Sequence, residues 1–287
     1  MDINSSSSHK NQEPESSVLY LVGTPIGNLN DLSSRSLNIL NNVDLVYCED
    51  TRATKKIMTK FSISNHLISF NKHNSHKKIP QIVSNLKDSK SVALVSDAGT
   101  PCICDPGEEL VDTIRSHNFE VISIPGPCAA ISALVSSGFP SSKFIFEGFL
   151  PKKKKEREKI LKEISENEKT TILYESPHRL KKLLKELKEN CGGEREINIS
   201  RELTKKFEEH IKKDIDNFIE LFRDKEVIGE ITIVIKGRPK IKNREFDENE
   251  LRNELKDLVN AGLSTSAASK YLAKKKNISK NLIYNLH

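Results

Sequence analysis

Tryptophan is absent from the 287 residues, and aromatic side chains make up only 6% of them. No run of about 18 apolar residues could cross a bilayer, and no apolar N-terminal stretch follows a basic leader. A soluble, cytoplasmic chain without membrane contact is therefore expected. The cysteines are few and odd in number (Cys48, Cys102, Cys104, Cys128 and Cys191), and no two form a C-x-x-C pair. That excludes a disulfide framework and a thiolate zinc site. Also missing are the fingerprints G-x-G-x-x-G, G-x-x-x-x-G-K-[ST], H-E-x-x-H and G-x-S-x-G, which removes dehydrogenase, P-loop, zinc peptidase and α/β-hydrolase readings. What is present is 36% hydrophobic and 30% charged residues, enough for about two domains with sizeable cores.

The net charge of +6 is unevenly placed. Residues 17–138 carry 11 basic against 11 acidic residues, whereas 139–240 carry 25 against 20 and 241–287 carry 9 against 6. A basic surplus confined to the second half is either a solvated lysine-rich surface or a surface that attracts a polyanion.

Residues 1–16 are Ser-rich, polar and aperiodic and read as a disordered extension. From Val18 onward, short Val/Ile/Leu runs alternate with turns and helical stretches, at Val18–Val22, Asp44–Tyr47, His66–Phe70, Val92–Val95 and Val121–Ile124. Apolar runs without strict polar alternation suit a parallel sheet covered by helices, so 17–138 is expected to be an α/β domain. Asp105-Pro106-Gly107-Glu108 reads as a helix start capped by Asp105, Gly126-Pro127 as another, and Gly138 as a helix end. A second α/β domain is expected over 139–240, with strands near Phe144–Phe146, Thr171–Tyr174, Ile197–Ser200 and Ile231–Ile235 and a helix opened by Ser176-Pro177. Two helical segments, about 247–261 and 265–285, form a C-terminal tail over 241–287. Lys274, Lys275 and Lys276 in it are candidates for contact with a polyanion.

Three small or glycine-bearing turns follow apolar runs of the first domain: Gly23-Thr24-Pro25-Ile26-Gly27-Asn28, Ser96-Asp97-Ala98-Gly99-Thr100-Pro101 and Pro125-Gly126-Pro127. Ligands of open α/β sheets bind at the carboxyl ends of strands, where glycine lets backbone amides approach closely. Three such turns suggest one pocket. Glu49-Asp50-Thr51-Arg52 follows another run, where an acid could accept a proton or simply form a salt-bridged turn; His73 is a further candidate base or a solvated residue. Arg179, Arg201 and Lys205, at strand ends in the second half, suit phosphate contacts or helix capping and ion pairing.

Taken in order, the strings Gly23–Leu29, Glu49–Arg52, Ser96–Pro101, Asp105–Gly107, Pro125–Pro127, Glu147–Pro151, Tyr174–Arg179 and Arg201–Lys205 closely resemble the tetrapyrrole methylase superfamily, and within it the branch that methylates small-subunit ribosomal RNA. The resemblance spans about Val18 to Gly237. It implies a two-domain α/β methylase with a small helical C-terminal segment, acting as a homodimer on 16S ribosomal RNA within the 30S subunit. The reaction it implies moves a methyl group from S-adenosyl-L-methionine to the ribose 2′-hydroxyl of a cytidine in the decoding region. By the same resemblance 17–138 binds the cofactor, through Gly23, Thr24, Pro25, Asp97, Ala98, Gly99, Thr100, Pro101, Gly126 and Pro127. Asp50, then Glu49 and His73, are the candidate bases, and Arg52, Arg179, Arg201 and Lys205 the candidate substrate contacts. Methyl transfer from a sulfonium requires alignment and shielding and no metal. Cys102, Cys104 and Cys128 depart from the family's usual residues. The rival expectations are a methylase of a porphyrinoid-like small molecule and a non-catalytic RNA-binding protein that has kept the fold.

Overall fold

The computed structural model describes residues 13–239, 248–276 and 279–286; most of the Ser-rich extension and the start of the tail lie outside these. The chain divides into two compact units, Met1–Arg238 and Pro239–His287.

The larger unit holds two five-stranded sheets in succession. The first alternation runs β1 (Val18–Val22), α1 (Ser34–Asn42), β2 (Leu45–Cys48), α2 (Thr51–Lys60), β3 (Leu67–Ser69), α3 (Ser75–Lys87), β4 (Val92–Val95), α4 (Glu108–Ser116), β5 (Glu120–Ile124) and α5 (Ala129–Ser137). Its strands lie in the order β3-β2-β4-β1-β5, all parallel. Each strand buries alternate residues on opposite faces. Val18, Tyr20 and Val22 pack with Ile39, Leu40 and Met58, while Leu19 and Leu94 on the other face meet Ile82, Leu86, Leu110 and Ile114.

The second alternation comprises β6 (Phe144–Phe149), α6 (Lys154–Glu166), β7 (Thr170–Glu175), α7 (Pro177–Cys191), β8 (Glu196–Arg201), β9 (Glu209–Asp214), α8 (Ile215–Leu221) and β10 (Ile231–Ile235). Its order is β6-β7-β10-β8-β9, with β6 and β7 parallel and the remaining pairs antiparallel. One face packs on α6, α7 and α8 through Leu161, Leu183, Leu187 and Phe218. The opposite face takes α5, whose Ala130, Ala133 and Leu134 meet Ile172 and Val234. The last helix of the first alternation thus covers the second sheet.

Some helix boundaries fall where local chemistry places them, but Gly126-Pro127 precedes α5, which starts at Ala129 with Cys128 in the cap position. Ser176 and Pro177 open α7, and Gly138 ends α5 at φ +67°. Asp105, however, does not cap α4: the cap position is Gly107, and Pro106 lies outside the helix. Gly107 sits at φ +148°, and a Cβ there would come within 2.5 Å of Cys102 Sγ, so the helix starts where only glycine fits and Asp105 is left in the preceding loop.

The smaller unit contains α9 (Glu248–Asn260), α10 (Thr265–Lys276) and α11 (Lys280–Tyr284) around Leu255, Ala268, Leu272 and Ile283. The segment expected as one helix over 265–285 is two. Lys275 pairs with Glu254, and Lys276 with Glu250 and Glu254, so two of the three tail lysines are neutralised inside their own unit. Among the described residues no helix is long and apolar enough to cross a membrane.

Candidate active-site cleft

Because the five strands of the first sheet are parallel, their carboxyl ends share one edge. The adjacent strands β4, β1 and β5 therefore bring the turns at Ser96–Pro101, Gly23–Asn28 and Pro125–Pro127 side by side. Thr24 and Gly99 exchange two backbone hydrogen bonds of 2.8 and 3.1 Å. Ser96 Oγ donates to the Gly99 carbonyl, Thr24 Oγ1 to the Ser96 carbonyl, and Thr100 Oγ1 to the Pro127 carbonyl. Gly23 and Gly126 meet backbone to backbone: a Cβ on Gly126 would lie 2.9 Å from the Gly23 Cα. Gly99 has φ +87°. The turns form one interlocked surface, with no room for a side chain where Gly23 meets Gly126.

That surface forms one wall of a cleft of about 420 Å³, within the range of roughly 300–1,000 Å³ that holds small ligands. Asp97, Ala98, Gly99 and Thr100 line it directly, with Ile26, Ile103, Cys104, Asp105 and Cys128. Phe149, Tyr174, Glu175, Leu203 and Thr232 from the second half complete it. Phe146 and Phe149 pack on the Tyr174 ring at 5.1 and 5.5 Å between centroids, and the Tyr174 hydroxyl accepts from the Ala130 N–H at the start of α5. Gly23, Thr24, Pro25, Pro101, Gly126 and Pro127 stand outside the lining and shape the turns that do line it.

The carboxylates sort into different environments. Asp50 caps α2, accepting from the Arg52 N–H, and the Arg52 guanidinium grips the same carboxyl, which holds it below the usual carboxylate range. It lies outside the cleft lining. His73 is exposed and also outside the lining. Burial pushes the Glu49 carboxyl up, with Asp97 adding to the effect. Asp105 is raised furthest, to about 6, by burial and then by Glu49, against a hydrogen bond from Ser96. Asp105 is thus the titratable group that residue-by-residue reading missed, because its Asp-Pro-Gly setting reads equally well as a helix cap. Burial raises Cys102 to about 11, so its thiol is uncharged at neutral pH.

The cations expected to meet substrate are largely committed inside the protein. Arg179 ion-pairs with the fully buried Glu175 and donates to the Leu150 carbonyl. Arg157 faces the same Glu175 and pairs with Glu186. Arg201 is paired with Glu209, and Lys205 with Glu202 and Glu230. Thr204 Oγ1 accepts from the Asn28 N–H, and a Cβ on Gly27 would strike Lys205 and Thr204, so the 203–205 segment closes over the first glycine turn. Of the four, Arg52 is the exposed one, with 89% of its side chain accessible and Asp50 as its ion-pair partner.

A fold of two α/β sheets with a glycine-turn cleft between them is that of a tetrapyrrole methylase. Residues 18–218 match the family model for tetrapyrrole (corrin/porphyrin) methylases, and the chain belongs to that family. Within it, the chain is 42% identical over 269 residues to a ribosomal RNA small subunit methyltransferase I of Synechocystis sp., covering 94% of this chain and 96% of the relative. It is 38% identical over 284 residues to the Bacillus subtilis protein of the same name, covering 96% of each. Among solved structures it resembles a cobalt precorrin-4 methyltransferase (TM-score 0.58, 15% identity, 77% of this chain and 95% of that one). It also resembles a uroporphyrin-III C-methyltransferase from Thermus thermophilus, complexed with S-adenosylhomocysteine (TM-score 0.52, 16% identity, 75% and 96%).

Proposed function

We propose that the protein is an S-adenosylmethionine-dependent methyltransferase of the small-subunit ribosomal RNA, acting on the ribose 2′-hydroxyl of a cytidine in the decoding region. The observation that carries the cofactor assignment is the interlocked cradle of Gly23, Gly99 and Gly126. A Cβ at Gly126 would displace the Gly23 backbone, so only glycine lets these turns interlock beside the Gly99 turn that lines the cleft. The cleft also offers an apolar, aromatic side (Ile26, Ile103, Phe149, Tyr174) suited to a purine, and carboxylates (Asp97, Asp105) suited to a cationic ligand. When bound, S-adenosylmethionine supplies a methyl group already activated on a sulfonium. The chain's own work is to hold the reactants in line, exclude water and receive a proton.

Asp105 is better placed than Asp50 to take that proton. It lines the cleft, and its raised pKa leaves it ionised yet basic near neutral pH. Asp50 is left as a cap that fixes α2. Glu49 holds Asp105 up through charge, and Arg179 anchors the cleft floor through Glu175. The ribosomal substrate rests on 36–49% identity to proteins named for it, set against the 15–16% identity to porphyrinoid methylases, which speaks for the fold alone. It implies a site of action in the cytoplasm, on the 30S particle. Action as a homodimer is supported by α5, where Ile131 and Val135, one turn apart, are 45% and 69% exposed. Incubation with labelled S-adenosylmethionine and either unmodified small subunits or a porphyrinoid tests the proposal. Label is expected on the subunits; label on the porphyrinoid alone would replace it with the small-molecule methylase.

A further inference from the structure

Several cations of the second half are answered by acids. On α6 and α7, Lys154 meets Glu158, Lys159 meets Glu163, Lys182 meets Glu186 and Lys188 meets Asp216. Helix α2, in the half whose formal charge is zero, behaves in the opposite way. Its sequence, Thr-Arg-Ala-Thr-Lys-Lys-Ile-Met-Thr-Lys, contains no acid. Thr54, Ile57 and Met58 are buried, and the exposed positions are Arg52, Lys55, Lys56, Thr59 and Lys60. Their spacing of three and four places them on one face, where they line an open groove. Among the described residues Lys55, Lys56 and Lys60 are in no ion pair, and the acid nearest the face, Asp50, is taken up by Arg52.

This face is anchored at the cleft. The Asp50 N–H at the head of α2 donates to Asp97 Oδ1, and Asp97 lines the cleft. Lys72, on the loop after the neighbouring edge strand, is exposed and close enough to influence the charge of Glu49 and Asp105. A row of cations about 12 Å long, from Arg52 to Lys60, its three lysines in no ion pair among the described residues, thus leads away from the cleft rim.

We propose that this α2 face is a phosphate track for the ribosomal RNA strand whose nucleotide enters the cleft. The proposal rests on the functional reading above and adds to it a surface and a contact class. Unpaired cations at helical spacing suit a polyanion, because each phosphate neutralised releases condensed counterions. Lysines already matched to glutamates gain less from the same phosphate, since an existing ion pair must first be broken. The α2 lysines therefore gain more from a phosphate than the paired lysines of α6 and α7 do.

The test compares two variants of equal net charge. In one, Lys55, Lys56 and Lys60 become Ala; in the other, Lys154, Lys159 and Lys182 do. Binding to small subunits lacking the modification is measured across salt concentrations, and S-adenosylmethionine affinity is measured by calorimetry as a control of the fold. The α2 variant is expected to bind subunits at least tenfold more weakly and to lose about 2 from the slope of log K against log salt, at roughly 0.7–0.9 per phosphate contact. Its cofactor affinity stays unchanged. The matched variant is expected to shift the slope by less than about 0.5 on the same scale. Equal losses in the two variants, or no loss in either, would overturn the track. A wild-type protein that binds cofactor but neither binds nor methylates subunits would overturn the functional reading, and the track with it.

Discussion

With Asp105 as the proposed base, a carboxyl raised to about 6 by burial and Glu49 predicts an acid limb near that pH. Methyl transfer under subsaturating RNA is expected to fall as pH drops through 6, and Asp105→Asn should abolish most activity and remove the limb; a pH–rate profile checks both. Stability runs the other way. A carboxyl raised in the fold above its ordinary value of 3.8 costs stability once it ionises, so stability is lost as pH rises from about 4 to 6. The thermal midpoint of Asp105→Asn should thus exceed wild type at pH 7.5 and match it at pH 4. A second residue-scale expectation concerns the cradle. Gly126→Val places side-chain carbon against the Gly23 backbone and should weaken S-adenosylmethionine binding at least tenfold in calorimetry, while subunit binding persists. At this scale the sequence was legible where glycine was obligatory and illegible where one residue had two good uses. Asp105 could cap a helix or face a cleft, and what decides is the steric demand of Cys102 on Gly107, which lies outside any local pattern.

Strands were legible where both faces are buried. Val18–Val22 and Val92–Val95 coincide with β1 and β4 because their apolar runs have no polar alternative. β9 escaped notice: Glu-His-Ile-Lys-Lys-Asp is an edge strand whose charged side chains face solvent, so no apolar run marks it. Ion pairing was equally hidden. Arg179, Arg201 and Lys205, which in the sequence suited phosphate contact or ion pairing alike, and Lys275 and Lys276, candidates for contact with a polyanion, are engaged by acids distant in the chain or a turn away. The buried group on β7 has a measurable consequence. Glu175 is fully buried with one oxygen lacking a hydrogen bond, and Arg157, 5% exposed, faces it. Arg157→Ala leaves Arg179 as the only cation paired with that carboxylate among the described residues, removes the partner of Glu186, and should cost about 3–5 kcal/mol in denaturant unfolding. A loss below about 1 kcal/mol would mean that Arg179 alone neutralises Glu175.

Across the whole molecule, the proposed α2 track makes the formal charge of each half a poor guide to the surface that meets RNA. Residues 139–240 carry the surplus but spend much of it on their own glutamates, whereas the balanced first half segregates its charge, with acids in the cleft and cations on α2. The sequence showed two α/β layers and their glycine turns because order and spacing of motifs survive in one dimension. Which turns touch follows from the strand order β4-β1-β5, and that order is not written locally. The measurement that tests the central claim most directly is mapping of the methyl group on small-subunit ribosomal RNA after reaction of unmodified subunits with S-adenosylmethionine. Nuclease digestion and mass spectrometry should return one 2′-O-methylcytidine from the decoding region with wild type and none with Gly126→Val. A methyl group on a base, or none on RNA from a protein that binds the cofactor, would contradict it.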